Sequence, residues 1–315
     1  MTRETGTGKY EQLLARCRNL EAPSTAVVHP CEQSALAGAV EAAQLGLIKP
    51  IYVGPVKRIT EIANKNKIDL GSAELVDAPH SHAAAQKAVE LVREGRAELL
   101  MKGSLHTDEL LGAVVAREGG LRTARRISHA FVFDVPTYHK VLIVTDAAIN
   151  IAPTLEEKAD ICRNAIDLAV ALGRERPKVA ILAAVETVNS KMSATLDAAA
   201  LCKMAERGQI EGGVLDGPLA FDNAISKEAA QTKRIKSEVA GDPDILLAPD
   251  LEAGNILAKL LSFLANADSA GIVLGARVPI ILTSRADSVR ARVASCAIAK
   301  LLAHARRTAA AGVLQ

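Results

Sequence analysis

The feature that constrains this chain most is a recurring pair. A short aliphatic run closed by a breaker is followed by a longer stretch rich in Ala, Leu and Glu. The runs are TAVVH (25–29), PIYVG (50–54), AELVDA (73–78), AELLMKG (97–103), AFVFDV (130–135), KVLIVTD (140–146), KVAILAAV (178–185), GGVLDG (212–217), DILLAP (244–249), GIVLG (271–275) and VPIILTS (278–284). Short apolar runs bounded by turn formers predict buried strands, and the amphipathic stretches between them predict helices. Such alternation specifies an α/β fold with parallel sheets covered by helices on both faces, and runs that are apolar almost throughout suit strands that meet water on neither face. One helix opens at Thr154-Leu155-Glu156-Glu157, where hydroxyl and carboxylate satisfy free backbone donors reciprocally. Another is expected over 286–307, with Val289, Val293, Cys296, Ala297 and Lys300–Leu301 on the apolar face and Arg290, Arg292 and Arg306 on the wet one.

At 315 residues the chain exceeds an average single core, so two lobes are expected. The charged segment EGGLRTARRIS (118–128) suggests the crossing point. The expected division is a first α/β domain of 1–128 plus 274–315 and a second of 129–273, with a ligand cleft between them. Hydrophobic residues at 49% and charged residues at 23% exclude disordered and low-complexity classes. With aromatics at 2% and no Trp, the core is built from Ala, Val, Leu and Ile, and stacking platforms for nucleic acid are not expected. A net charge of +2 argues against a nucleic-acid or anionic membrane partner. No apolar run approaches the ~18 residues of a membrane span, and the first twenty residues lack the apolar stretch of a signal peptide, so a cytoplasmic location is expected. Cys17, Cys31, Cys162, Cys202 and Cys296 form no C-x-x-C pair and read as reduced thiols. His80 and His82 are the one close His pair; they start a helix, and no metal site is expected.

Three segments carry residues fit for chemistry. In LLMKGSLHTDELL (99–111) an apolar strand ends in Lys102-Gly103, and a polar turn leads through Thr107 into a helix. Ligands of parallel α/β sheets lie beyond the carboxyl ends of strands, and free N–H groups at a helix start favour anions. The alternative is a capped helix with a Gly turn and a solvated lysine. In VPIILTSRADSV (278–289) a strand ends in Ser284-Arg285. A hydroxyl and a guanidinium at such a turn make an oxyanion or phosphate cradle, because Arg donates two parallel hydrogen bonds; otherwise Ser284 caps the helix and Arg285 pairs with a surface acid. In EGGVLDGPLAFDNAIS (211–226), Asp216 follows a strand and Asp222 stands six residues on. Such carboxylates serve as acid and base or hold a cation, or they only form turns and caps. Glu252 and Asn255, on the expected loop PDLEAGN (249–255), complete the possible cleft residues. No G-x-G-x-x-G follows a strand, and GTGK (6–9) lacks the rest of a nucleoside-triphosphate loop.

In order, MKGSLHT, EGGLRT, RRISHAFVFDVP, VLDGPLAFDNAIS, PDLEAGN and VPIILTSRADS resemble the phosphate acetyltransferase and phosphate butyryltransferase family, and more its butyryl-type branch, from about residue 24 to about residue 303. The resemblance implies a two-lobed α/β fold similar to that of isocitrate and isopropylmalate dehydrogenases, assembled as a homodimer. It implies reversible transfer of a short acyl group, butyryl-like or acetyl, between coenzyme A and inorganic phosphate, with coenzyme A as substrate and no permanently bound cofactor. By position Ser284 and Arg285 match the family's active-site pair, Lys102 and Gly103 its first-lobe cleft motif, and Thr107 a hydroxyl residue near the phosphate. Arg285 is then expected on phosphate and developing charge, Ser284 on the oxyanion or sulfur, and Lys102 with Thr107 on phosphate. Two positions depart from acetyl-type members: Leu111 stands where they carry an Arg, and Ala291 where they carry the Asp thought to take the thiol proton. Leu111 suggests an acyl chain longer than acetyl. For the proton, the expectation is solvent acting in the field of Arg285 and the helix start, with Asp287, a helix-capping residue in the first turn, as the rival base. An isopropylmalate-type decarboxylating dehydrogenase and a non-catalytic binder of coenzyme A or phosphate are the alternative functions.

Overall fold

The computed structural model describes residues 8–283 and 287–313. They divide into a terminal unit, 10–125 with 270–283 and 287–313, and an inserted unit, 8–9 with 126–269. The chain opens with α1 (Lys9–Cys17), β1 (Ser24–Val28), α2 (Gln33–Gln44), β2 (Lys49–Gly54), α3 (Val56–Lys65), β3 (Glu74–Asp77), α4 (Ser81–Arg93), β4 (Leu99–Lys102) and α5 (Thr107–Val114). The inserted unit supplies β5 (Ser128–Asp134), β6 (Leu142–Thr145), α6 (Leu155–Ala171), β7 (Lys178–Leu182), α7 (Ser193–Glu206), β8 (Val214–Leu219), α8 (Phe221–Ile225), α9 (Lys227–Thr232), β9 (Ile245–Leu247) and α10 (Leu251–Phe263). The chain returns through β10 (Asp268–Leu274) to β11 (Ile280–Ile281) and α11 (Val289–Val313).

In the terminal unit the strands run β3-β2-β1-β4-β11-β10, parallel from β3 to β11. In the inserted unit the order is β5-β6-β9-β7-β8, parallel from β6 to β8. The sheets are mostly parallel, and two strand pairs depart from that pattern. Strands β10 and β11 are antiparallel, as are β5 and β6. Residues 275–279 and 135–141 join them, too short for the crossover that parallel neighbours need.

The core is aliphatic. Val27, Val28, Leu99, Leu100 and Met101 are wholly buried at the centre of the terminal sheet, and Val179, Ala180, Ile245 and Leu246 are their counterparts in the inserted one. Helix α11 packs along α2, and Cys296, Ala297 and Ala299 are buried on it. Arg292 does not face water as expected; it is 2% exposed and donates to Thr283 Oγ1 at 2.8 Å. Gly38 makes its space, since a Cβ there would stand 2.7 Å from Arg292 Cδ. Lys300 is buried too and donates to the Gly46 carbonyl at 2.8 Å.

Candidate active site

The terminal unit gathers one polar group at the carboxyl ends of β1 and β4. These strands pair in parallel with Val28 opposite Lys102, so the residues beyond each lie side by side. The amides of Gly103 and Ser104 donate to the carbonyls of Val28 (2.9 Å) and His29 (3.0 Å). A Cβ on Gly103 would sit 2.3 Å from the Val28 oxygen and 2.6 Å from that of His29, so no side chain fits at this crossing. Lys102 is buried at 4% exposure, with Nζ 3.4 Å from the Gly103 carbonyl, so the solvated-lysine alternative does not hold. Thr107 is the first residue of α5, in the turn whose N–H groups lack intrahelical carbonyl partners. The His106 amide before it donates to Glu109 Oε2 at 2.8 Å. Glu109 is held below the usual carboxylate range, first by the Ser81 hydroxyl at 2.7 Å.

The sequence singled out Lys102, Gly103 and Thr107 but missed their neighbours His29 and Ser104. The run TAVVH predicts a strand through His29; β1 stops one residue earlier, and His29 turns to φ 52°. Ser104 Oγ donates to the His29 carbonyl at 2.8 Å and accepts from the Cys31 amide at 3.1 Å. The local sign that the strand ends is Pro30, which has no N–H to donate to a sheet ladder.

Ser284 and Arg285 lie outside the described residues. Asp287 is half-buried ahead of α11, and the cap is Ser288, whose Oγ accepts from the Ala291 amide at 3.1 Å. The expectation that Asp287 sits in the first turn as the cap is corrected accordingly.

The inserted unit builds a second polar group after β6. Asp146 accepts from the amides of Ala148 (2.8 Å) and Ile149 (3.0 Å) and from Asn150 Nδ2 (2.5 Å). Asn150 also binds the Ile127 carbonyl and receives Arg126 Nε at 2.7 Å. Asn255 joins this group through its bond to the Ala147 carbonyl at 2.9 Å. Glu252 and Asn255 lie within α10, capped by Asp250 onto Ala253 N, and not on a loop as expected. Glu252 is exposed in the first turn. Asp216 stands inside β8, where it accepts from the Gly217 amide, and does not follow the strand. Asp222 is exposed and paired with Lys233 at 3.0 Å, which also holds Glu186 at 3.1 Å. Hydrogen bonding to Lys233 holds both carboxylates below their ordinary range. Asp216 and Asp222 thus serve different partners.

The profile described as phosphate acetyl/butaryl transferase matches residues 80–300. The chain belongs to the phosphate acetyl/butyryl transferase family. Among relatives of this family, a phosphate acetyltransferase of Rhizobium meliloti is 64% identical over 302 residues, which cover 96% of this chain and 95% of that protein. A phosphate butyryltransferase of Clostridium acetobutylicum is 42% identical over 294 residues, 93% of this chain and 98% of its own. A branched-chain phosphotransacylase of Enterococcus faecalis V583, of known structure, superimposes with a TM-score of 0.77 at 30% identity over 90% of this chain and 99% of that one.

Proposed function

We propose that this protein transfers a short acyl group reversibly between coenzyme A and inorganic phosphate. The observation that carries the reading is the 64% identity, over nearly the whole of both chains, to a protein named phosphate acetyltransferase. The buried ammonium of Lys102, at the carboxyl end of β4 and next to a turn that admits no side chain, supports it as an anion site. In this reading the thiolate attacks the acyl phosphate carbonyl and phosphate leaves, with no enzyme nucleophile. Lys102 and Thr107 hold phosphate. Arg285 neutralises phosphate and the charge that develops, and Ser284 donates to the oxyanion or the sulfur.

Two features bear on the acyl group. Leu111, half-buried on α5, favours a chain longer than acetyl, whereas the butyryltransferase relative stands at 42% identity and the acetyltransferase at 64%. The larger body of shared sequence supports acetyl, with butyryl second. The experiment follows thiol release from acetyl-, propionyl-, butyryl- and crotonyl-CoA with and without phosphate. Phosphate-dependent release, with kcat/KM for acetyl-CoA at least equal to that for butyryl-CoA, is expected. Release without phosphate, or none, removes the acyltransferase reading. A dehydrogenase would need Asp216 and Asp222 to share a cation, and their separate engagements give that no support.

The reading extends to a homodimer in the cytoplasm, with coenzyme A as a substrate, no permanently bound cofactor and the fold of isocitrate and isopropylmalate dehydrogenases. Ile256, Leu260, Phe263 and Leu264 form an exposed apolar stripe along and just past α10, which supports a self-associating face. The five cysteines carry no disulfide, and no described helix is long and apolar enough to cross a membrane. One unit inserted into another, each with a mostly parallel sheet, supports the fold comparison.

A further inference from the structure

We propose that the imidazole of His29 takes the thiol proton of coenzyme A, the role left open by Ala291; the proposal rests on the acyltransferase reading above. Left-handed backbone is uncommon outside glycine and persists where its surroundings over-determine it. Here they do. The His29 carbonyl accepts from Ser104 N (3.0 Å), Ser104 Oγ (2.8 Å) and Cys31 N (2.8 Å), and its amide donates to the Val53 carbonyl (2.7 Å). These bonds set the half-buried ring at the carboxyl ends of β1, β2 and β4, beside Lys102-Gly103. Gly54 lies against the same turn, since a Cβ there would stand 3.3 Å from the His29 Cα.

Ser104 Oγ lies 2.8 Å from the His29 carbonyl and 3.4 Å from Nδ1; with its hydrogen given to the carbonyl it is an acceptor toward Nδ1. In the proposal Nδ1 is the protonated ring nitrogen and Nε2 the base. Among the described residues, the charged groups that act on the ring are Arg58 of α3, Glu109 of α5 and Glu32 ahead of α2; Lys102 ends the neighbouring strand β4. Burial first, then Arg58, lowers the imidazole pKa from 6.5 against the opposing pull of Glu109 and Glu32, which favours the neutral ring. When acyl phosphate is consumed, the S–H bond breaks and its proton passes to Nε2. The sulfur pair forms the bond to the acyl carbon, and phosphate leaves with the pair of the broken C–O bond. The imidazolium then gives the proton to water; in reverse it protonates the departing thiolate.

The test uses His29→Asn, which tolerates positive φ, and His29→Gly, which suits it and leaves room for a free imidazole. Reaction of coenzyme A with acetyl phosphate is followed against pH. Wild type is expected to lose kcat as pH falls through a midpoint below 6.5. His29→Asn loses ~10²–10⁴-fold and that limb with it, while added imidazole restores part of the His29→Gly rate. A loss under about fivefold, or a larger one with the wild-type pH limb intact and no rescue, overturns the proposal. A hundredfold loss in Asp287→Asn beside a near-normal His29→Asn assigns the proton to Asp287 instead. If wild type shows no phosphate-dependent acyl transfer, the function reading itself fails, and the base with it.

Discussion

At position 103 the backbone leaves room for hydrogen alone. Gly103→Ala would force the carbonyls of Val28 and His29 apart, and neither is a movable side-chain end. The variant should lose activity by about a hundredfold through misplacement of Lys102, and its melting temperature should fall; wild-type kinetics would show that the turn does not position the lysine. Asp242 illustrates a charge serving stability. Burial would raise its carboxyl, but hydrogen bonds from Lys178 (2.7 Å) and Lys140 override this and bring it down to about 2. A folded-state pKa below the unfolded value of 3.8 means the contribution is complete above pH 3.8 and fades as pH falls through about 2. Asp242→Asn should therefore unfold more easily in urea at pH 7, by on the order of 2 kcal/mol, with the gap to wild type closing between pH 4 and 2. A gap that ignores pH would point to packing as the cause. Single residues were also where the sequence was least legible. Lys102 announced itself as a charge ending an apolar run, but nothing in TAVVH encodes the sign of a φ angle, so His29 passed as strand. Arg292 was placed in water because a helical wheel does not contain the glycine on the facing helix.

Elements were far more legible, because burial on both sides of a strand writes itself as an unbroken aliphatic run. Each of the eleven runs contains or overlaps a strand. Strand direction was not legible at β5–β6 and β10–β11, since apolar pattern is the same in either sense and only the short connections distinguish them. The start of α6 was legible in detail: Thr154 Oγ1 accepts from Glu157 N at 3.3 Å, and Glu157 Oε2 accepts from Thr154 N at 3.0 Å. Arg126 Nη1 reaches the other Glu157 oxygen at 2.9 Å, tying the helix start to the segment that enters β5. Thr154→Ala should cost about 1 kcal/mol, seen as a fall of roughly 2–4 °C in Tm. No change would mean that Glu157 alone secures the first turn.

For the whole molecule, the stripe on α10 makes a specific demand. Phe263 is 77% exposed and Leu264 79% exposed, beside Ile256 at 65%. Phe263→Glu with Leu264→Glu should convert a dimer into a monomer in sedimentation while the far-ultraviolet circular dichroism stays as in wild type. A wild type that already sediments as a monomer would remove the homodimer. The inserted unit has a consequence in time as well as in space. Strand β4 is bordered by β1 on one side and by β11 on the other, and β11 comes from the far side of the insertion. At ~5–20 residues per second, the ribosome needs roughly ten to forty seconds to travel from Lys102 to Ile280. Throughout that interval the strand Leu99–Lys102 has no partner for one edge, and it holds the buried aliphatic residues Leu99, Leu100 and Met101. An open apolar edge is a template for pairing with another nascent chain, so the order of synthesis exposes the early half of this protein to its neighbours on the polysome until the later half arrives to close it.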